Sequence, residues 1–162
     1  MTTETVFDLS TITIMPAVHD DIYKIYMLQK RAFIQEAEIN DGNYSITPIL
    51  QTLICFKNDF NNFTYLKAAV NSTIIGSIRA RQEGITCFIG RLVTEPVFQG
   101  FGIGTMLLTA IENSFPTATR FELFTGERSV NNVRFYKNRG YTVTDKKEDI
   151  PGVILLMFEK KR

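Results

Sequence analysis

The run Gln99-Gly100-Phe101-Gly102-Ile103-Gly104 constrains this chain more than any other. Alternating glycines make poor helix and suit close backbone approach. Upstream, Cys87 to Thr94 has the pattern of a strand. Downstream, the spacing predicts an amphipathic helix over Thr105 to Phe115, with Ile103, Met106, Leu107, Ala110 and Ile111 on one face. A strand, a Gly-rich turn and a helix N-terminus aim free backbone N–H groups and the positive end of a helix dipole at one spot. That is an anion site, and a pyrophosphate fits it. The glycine spacing is not a dinucleotide fingerprint, and no Lys-Ser/Thr pair follows as in a P-loop.

The remaining pattern predicts one α/β domain of α+β type over residues 1–162, with a mixed, mostly antiparallel sheet of six to seven strands and about four helices. Residues 1–10 read as a loose arm or an edge strand. Thr11 to Ala17 reads as a strand, and Asp20 as the N-cap of a helix through Ile22, Ile25, Tyr26, Ala32 and Phe33 into the mid-30s. Glu36 to Tyr44 breaks the period. Thr47 is expected to cap a second helix with Pro48 at its first position, ending near Asn58. Phe63–Val70, Thr73–Arg81 and Ile85–Thr94 follow as strands joined by turns so short that they must pair antiparallel. After the Gly-rich turn come a strand Arg120–Thr125, a helix Val130–Arg139 stopped by Gly140, and strands Tyr141–Thr144 and Val153–Phe158 around a charged loop, Asp145 to Asp149.

Composition narrows the function. A net charge of +1 argues against a nucleic-acid or membrane-surface binder. No apolar run is long enough for a membrane span, and no signal-peptide pattern opens the chain, so a cytoplasmic location is expected. Cys55 and Cys87 form no disulfide framework or zinc spacing and read as reduced, buried small hydrophobes. His19 is the only histidine, which leaves no basis for a His triad or a His-rich metal site; no metal is expected.

Two stretches carry a family likeness. Ile89 to Gly104 resembles motif A of the GNAT acetyltransferase superfamily, whose Gln/Arg-x-x-Gly-x-Gly/Ala core is met by Gln99, Gly102 and Gly104. Phe135-Tyr136-Lys137-Asn138-Arg139-Gly140-Tyr141 looks like the "FYEKLGF" signature of motif B. Leu28 to Phe33 and Glu36 to Ile39 are similar to the first helix region of small bacterial members. The resemblance implies the GNAT fold, splayed at the strands around 85–94 and 119–125, and acetyl-CoA as donor. By position, backbone groups of Leu92, Val93 and Thr94 would hold the pantetheine arm, and Gly100, Phe101, Gly102, Ile103, Gly104 and Thr105 the pyrophosphate. A pantetheine arm is a peptide mimic, which an unpaired strand edge can bind; as side chains, Leu92 and Val93 also read as plain core.

The same likeness implies Tyr136 as general acid toward the departing CoA sulfur. A phenol stays protonated to about pH 10, above a thiol near 8.5, and can donate as charge builds; the plainer reading is a tyrosine that packs its helix onto the sheet. Ser129, Asn132 and Tyr136 share a helix face. The family often has asparagine where this chain has Ser129, which reads equally as an N-cap; Asn132 or Asn131 stands in for that amide. The attacking amine must lose a proton, and the available carboxylates are Glu36, Glu38, Glu122 and Glu127. The fold places Glu36 and Glu38 on the acceptor side, where they bind a cationic acceptor or relay its proton, or else form a solvated helix end. Arg91 is expected on the strand face of Ile89 and Val93, where it suits an acceptor carboxylate, with Arg79 and Arg81 adding to it or lying hydrated on an exposed sheet face. The expected activity is direct acetyl transfer to a primary amine of a small molecule or amino acid. A protein N-terminus or lysine is the alternative acceptor, and a non-catalytic acetyl-CoA sensor the alternative class. A homodimer is common in such folds.

Overall fold

A computed structural model describes residues 8–162. A seven-stranded sheet runs in the order β1-β2-β3-β4-β5-β7-β6, with β1 at Thr13–Pro16, β2 at Thr64–Val70, β3 at Thr73–Glu83, β4 at Thr86–Thr94, β5 at Arg120–Gly126, β6 at Thr142–Ile150 and β7 at Val153–Lys161. The helices are α1 (Ile22–Ile39), α2 (Thr47–Leu50), α3 (Leu53–Asn62), α4 (Ile103–Asn113) and α5 (Val130–Lys137). The β2–β3–β4 meander is antiparallel as expected. Strand β4 then meets β5 in parallel, but only where Thr86–Phe88 lie opposite Arg120–Glu122. Beyond that the two strands part, as the sequence resemblance implied.

The core lies on both sides of the sheet. Ile103, Leu107, Leu108 and Ile111 of α4 pack on Leu66, Ile75, Ile78, Cys87 and Ile89. On the opposite face Ile22 and Ile25 of α1 and Phe56 of α3 pack around Tyr65. Burying each such side chain contributes about 1.5–3 kcal/mol.

Several boundaries differ from expectation, each for a local reason. Residues 1–7 of the expected arm lie outside the described residues; Leu9–Thr11 form a 3-10 turn capped by Asp8, which shortens β1. Another 3-10 turn, His19–Asp21, moves the α1 N-cap from Asp20 to Asp21, whose carboxylate accepts from the Val18 N–H at 2.8 Å and the Lys67 ammonium at 2.7 Å. Helix α1 runs on to Ile39 because Ala37 is buried against Ile46 and Val153; Glu36 and Glu38 are therefore on the helix, not beyond it. The expected second helix has Ile46 and not Thr47 as its N-cap, divides at Gln51 because Thr52 caps a fresh start through the Cys55 N–H, and ends at Asn62 instead of near Asn58. Helix α4 begins two residues early, with Gly102 as its left-handed N-cap and Gly104 in its first turn. Its buried face includes Leu108, while Met106 is 36% exposed. The expected loop Asp145–Asp149 is edge strand: its residues ladder onto β7, and the exposed charges protect that edge from further pairing.

Cys87 is buried as expected, but Cys55 faces solvent because α3 turns Leu53, Phe56 and Phe60 inward instead. Burial pushes the Cys87 thiol up to about 11. A thiol-reactive dye should therefore label Cys55 alone in the native protein and both cysteines after denaturation; fast native labelling of Cys87 would contradict this packing.

Candidate active site

Where β4 leaves β5, the backbone is distorted. Arg79 pairs with Gly90 and Ser77 with Val93, so Arg91 and Leu92 together stand opposite Ile78. This bulge puts Arg91 in the left-handed region at φ 51°, a conformation a non-glycine residue holds only at a cost of about 1–3 kcal/mol. It also resets the alternation. Leu92 joins Ile89 on the α4 side, whereas Arg91 crosses to the α1 side, its guanidinium 5.8 Å from the Phe33 ring centre. The expectation that Arg91 shares a face with Ile89 is corrected by this one extra residue. Among the described residues, the β4 edge facing β5 has no strand partner from Ile89 onward.

The chain then reaches the glycine turn. Gly100 and Gly102 have φ of 84° and 82°, and a Cβ on either would meet no atom within 4 Å. The turn thus presents bare backbone to open space, directly before α4, whose first N–H groups have no intrahelical acceptor. Gly104 has a different constraint: its Cβ would lie 3.4 Å from Phe135, so it lets α5 pack close. Among the other residues expected here, Val93 and Ile103 have buried side chains, so only their backbone faces the opening. Thr94 is half-buried, and Phe101 is exposed. The Gln99 side chain turns to α1, donating to Gln35 at 2.9 Å.

Arg139 was not foreseen, since leucine holds this place in the motif B signature. Its guanidinium lies 3.7 Å from the Phe135 ring centre and donates to the Phe135 carbonyl at 2.9 Å and to the Thr105 hydroxyl. It brings a cation to the first turn of α4 and ties that turn to α5. The signal was a charged residue in an otherwise apolar motif position.

The sheet's two sides meet over the opening. Glu36 of α1 accepts from the Ser129 hydroxyl and from the Asn132 amide at 3.1 Å, and Asn132 also reaches Thr125 at 3.4 Å. Asn40 donates to the Glu36 carbonyl at 2.8 Å, and an Arg128–Asp41 ion pair closes the outer rim. A cleft of about 160 Å³ opens beside this network, lined by Glu36, Ile39, Arg128, Ser129, Asn131 and Asn132. Ser129 stands at the N-cap position, but its hydroxyl makes no cap bond; the N-cap reading is replaced by the bond to Glu36. Glu38, two positions from Glu36, faces solvent on the other side of α1 and does not join the site.

Tyr136, one helical turn beyond Asn132, is buried against Phe135, Tyr141 and Phe158, with ring centres 5.2, 5.9 and 5.8 Å away. Burial, with the Glu36 carboxylate nearby, raises its phenol well above the ordinary range. Tyr136 therefore packs α5 onto the sheet, its phenol held protonated by burial.

Among the described residues no group of His, Cys, Asp and Glu could hold a metal ion, and no helix is long and apolar enough to cross a membrane. A larger hollow of about 570 Å³ lies at the end where β4 and β5 do pair. Arg120 there is paired with Glu122 and Glu159, and Arg162 caps carbonyls at the C-terminal end of α4, so its charges are already engaged.

A family model described as an acetyltransferase (GNAT) domain matches residues 48–161. The chain belongs to the GNAT acetyltransferases. These are acyl-CoA N-acyltransferases, and they act on amine acceptors. No curated protein sequence matches the chain. Among solved structures, it is similar to the ribosomal-protein-S18-alanine N-acetyltransferase of Escherichia coli at 11% identity, covering 93% of each chain with a TM-score of 0.76. The PaiA N-acetyltransferase of Thermoplasma acidophilum in complex with coenzyme A is 21% identical, with 93% of this chain and 99% of that one covered and a TM-score of 0.67. A GNAT family acetyltransferase of Elizabethkingia anophelis with acetyl-CoA bound is 16% identical, covering 94% and 99%, TM-score 0.70. At these identities the likeness is one of fold.

The Ser129 contact separates its two readings experimentally. Ser129→Ala should lower stability by about 1–2 kcal/mol in chemical denaturation, through loss of a hydrogen bond to a charged group. Ser129→Asp, an excellent N-cap, should be worse than alanine because it sets a second carboxylate against Glu36. A stabilising aspartate would restore the cap reading.

Proposed function

We propose that this GNAT enzyme acetylates the primary amine of a small molecule or amino acid, with acetyl-CoA as donor and direct attack in a ternary complex. The observation that carries this reading is the parting of β4 and β5, which opens between the glycine turn on one side and the Glu36–Ser129–Asn132 network with Tyr136 on the other. The free β4 edge at Leu92, Val93 and Thr94 suits the amides of the pantetheine arm. The backbone from Gly100 to Thr105, at the positive end of α4, suits the pyrophosphate, and Arg139 adds a cation beside Thr105.

The chemistry follows from the two groups nearest the opening. The acceptor nitrogen forms a C–N bond to the acetyl carbon as the C–S bond breaks. Glu36, held in place by Ser129 and Asn132, takes the proton the amine must lose. Tyr136 donates to the departing sulfur, whose own pKa is raised in the same desolvated surroundings, so proton transfer keeps pace with bond cleavage. A net proton passes from Glu36 back to Tyr136 through solvent, and the enzyme is reset without a covalent intermediate.

Two measurements test donor site and acid separately. Acetyl-CoA at a hundredfold excess over its Kd should raise stability by about 2.7 kcal/mol, read as a higher Tm. Gly102→Glu should abolish that rise while the chain still folds, because its Cβ meets open space and the left-handed backbone costs about 1–2 kcal/mol; normal acetyl-CoA affinity in the variant would exclude the glycine turn as the phosphate site. Tyr136→Phe should keep the acetyl-CoA shift and lose about 10²–10⁴-fold in turnover. Full turnover in this variant would remove Tyr136 as the acid.

A further inference from the structure

Arg91 is held in a manner that packing alone does not explain. Its backbone sits in the left-handed region at φ 51°. Its Nε is buried with no hydrogen-bond partner, and among the described residues its guanidinium joins no ion pair. Its guanidinium lies beside the Phe33 ring, 5.8 Å from the ring centre. The nearby carboxylate that would suit it is already engaged: Asp59 accepts from Arg79 at 2.6 Å and from Gln51 at 2.6 Å. Arg79 itself stacks on Phe63 at 4.1 Å and adds a second positive charge to the same side of the sheet. Burial and the Arg79 cation lower the Arg91 pKa to about 10, which still leaves it charged at neutral pH.

A guanidinium whose Nε is buried without a hydrogen-bond partner is costly, and a strained backbone adds to that cost. The arrangement makes physical sense if an anion arrives. The place it would arrive is defined. Arg91 lies past the point where β4 leaves β5. The ring it covers, Phe33, is one helical turn before Glu36 on the same face of α1, and Glu36 bonds to Ser129 and Asn132 across the opening. The α1 side of the opening therefore offers a carboxylate for an ammonium and, one turn away, a fork of N–H donors for an anion. Asp149 of β6 and Tyr65 of β2 are the other titratable groups that act on Arg91.

We infer that the acceptor is an amino carboxylate: its amine is directed to Glu36 and the acetyl carbon, and its carboxylate is received by Arg91 in a two-pronged hydrogen bond. This rests on the acetyltransferase reading above and narrows its acceptor. A guanidinium fork matches a carboxylate in plane and spacing, which a lysine would not. Free amino acids are the simplest members of the class; a peptide presenting its N-terminus beside an acidic side chain shares the chemistry.

The test is an acceptor series scored by release of free CoA thiol. It contains free amino acids, the same amino acids as carboxamides, the matching decarboxylated amines, and short peptides with and without an acidic second residue. The wild-type enzyme should show kcat/KM at least tenfold higher for carboxylate-bearing acceptors than for their carboxamides. Preference within the amino-acid arm identifies a free amino acid; preference confined to acidic peptides identifies the peptide source. Arg91→Gln and Arg91→Lys should both erase the preference, chiefly through KM for the acid, while acetyl-CoA still raises the Tm of each variant. Equal rates for acids, carboxamides and plain amines in the wild type would overturn the carboxylate site yet leave the acetyltransferase intact. Absence of both thiol release and any acetyl-CoA effect on Tm would instead overturn the donor reading beneath it. The wild-type comparison needs no variant, so a poorly folding Arg91→Gln does not spare the inference.

Discussion

The structure depends on one pairing that stops early. Strands β4 and β5 are hydrogen-bonded neighbours for three residues and then part. Had they continued, the β4 edge would be closed, α4 and α5 would cover an unbroken sheet, and no opening would join the two faces. A bulge in β4 follows just past the parting. One extra residue bends the strand and increases its twist, and it turns Arg91 toward α1 while Leu92 stays with the α4 core.

An open seam in a sheet needs support on both sides. On the α4 side, Tyr136 sits among Phe135, Tyr141 and Phe158, so α5 is anchored to β7 by aromatic packing. On the α1 side the links are polar: Glu36 to Ser129 and Asn132, and Asp41 to Arg128. Helix α1 is in turn fastened to α2 by Gln29, which donates to the Pro48 carbonyl at 3.0 Å, and by Lys30, which reaches the last carbonyls of α2. The unyielding side carries the glycine turn. On the proposed reading, the polar side is the one whose bonds an incoming amine exchanges with.

This asymmetry also explains what the sequence made legible. The glycine turn works through backbone, and backbone demands leave a mark: Gly100 and Gly102 need positive φ, Gly104 needs to be small beside Phe135, and the three fall at fixed spacing. Motif B is equally visible because Tyr136 and Gly140 serve packing and helix termination. The fold class, the meander and most elements followed from period and turn residues. What was misread depends on contacts distant in sequence. Helix α1 outlasts its local pattern because Ala37 is buried by Ile46 and Val153. Strand β6 looks like a charged loop until β7 supplies its ladder. Ser129 looks like a cap until a carboxylate far along the chain claims its hydroxyl. Arg91 looks like the next inward residue of a strand until the bulge is counted.

The donor and acceptor sides thus record their specificity in different forms. On the proposed reading a pyrophosphate and a peptide-like arm are bound by main chain, which leaves many side chains compatible with one cofactor, and structures at 11–21% identity share the fold. The proposed acceptor side is assembled from single side chains on separate elements: Glu36 from α1, Arg91 from β4, Asn132 from α5 and Arg79 from β3. Each can change without disturbing the glycine turn or the main packing of α4. A family built this way keeps its donor while its acceptors diverge. The residues that report a member's own substrate are then those with a structural cost and no structural return. On the proposed acceptor reading, Arg91 meets that description most fully in this chain: strained at the bulge, with its Nε buried and without a hydrogen-bond partner.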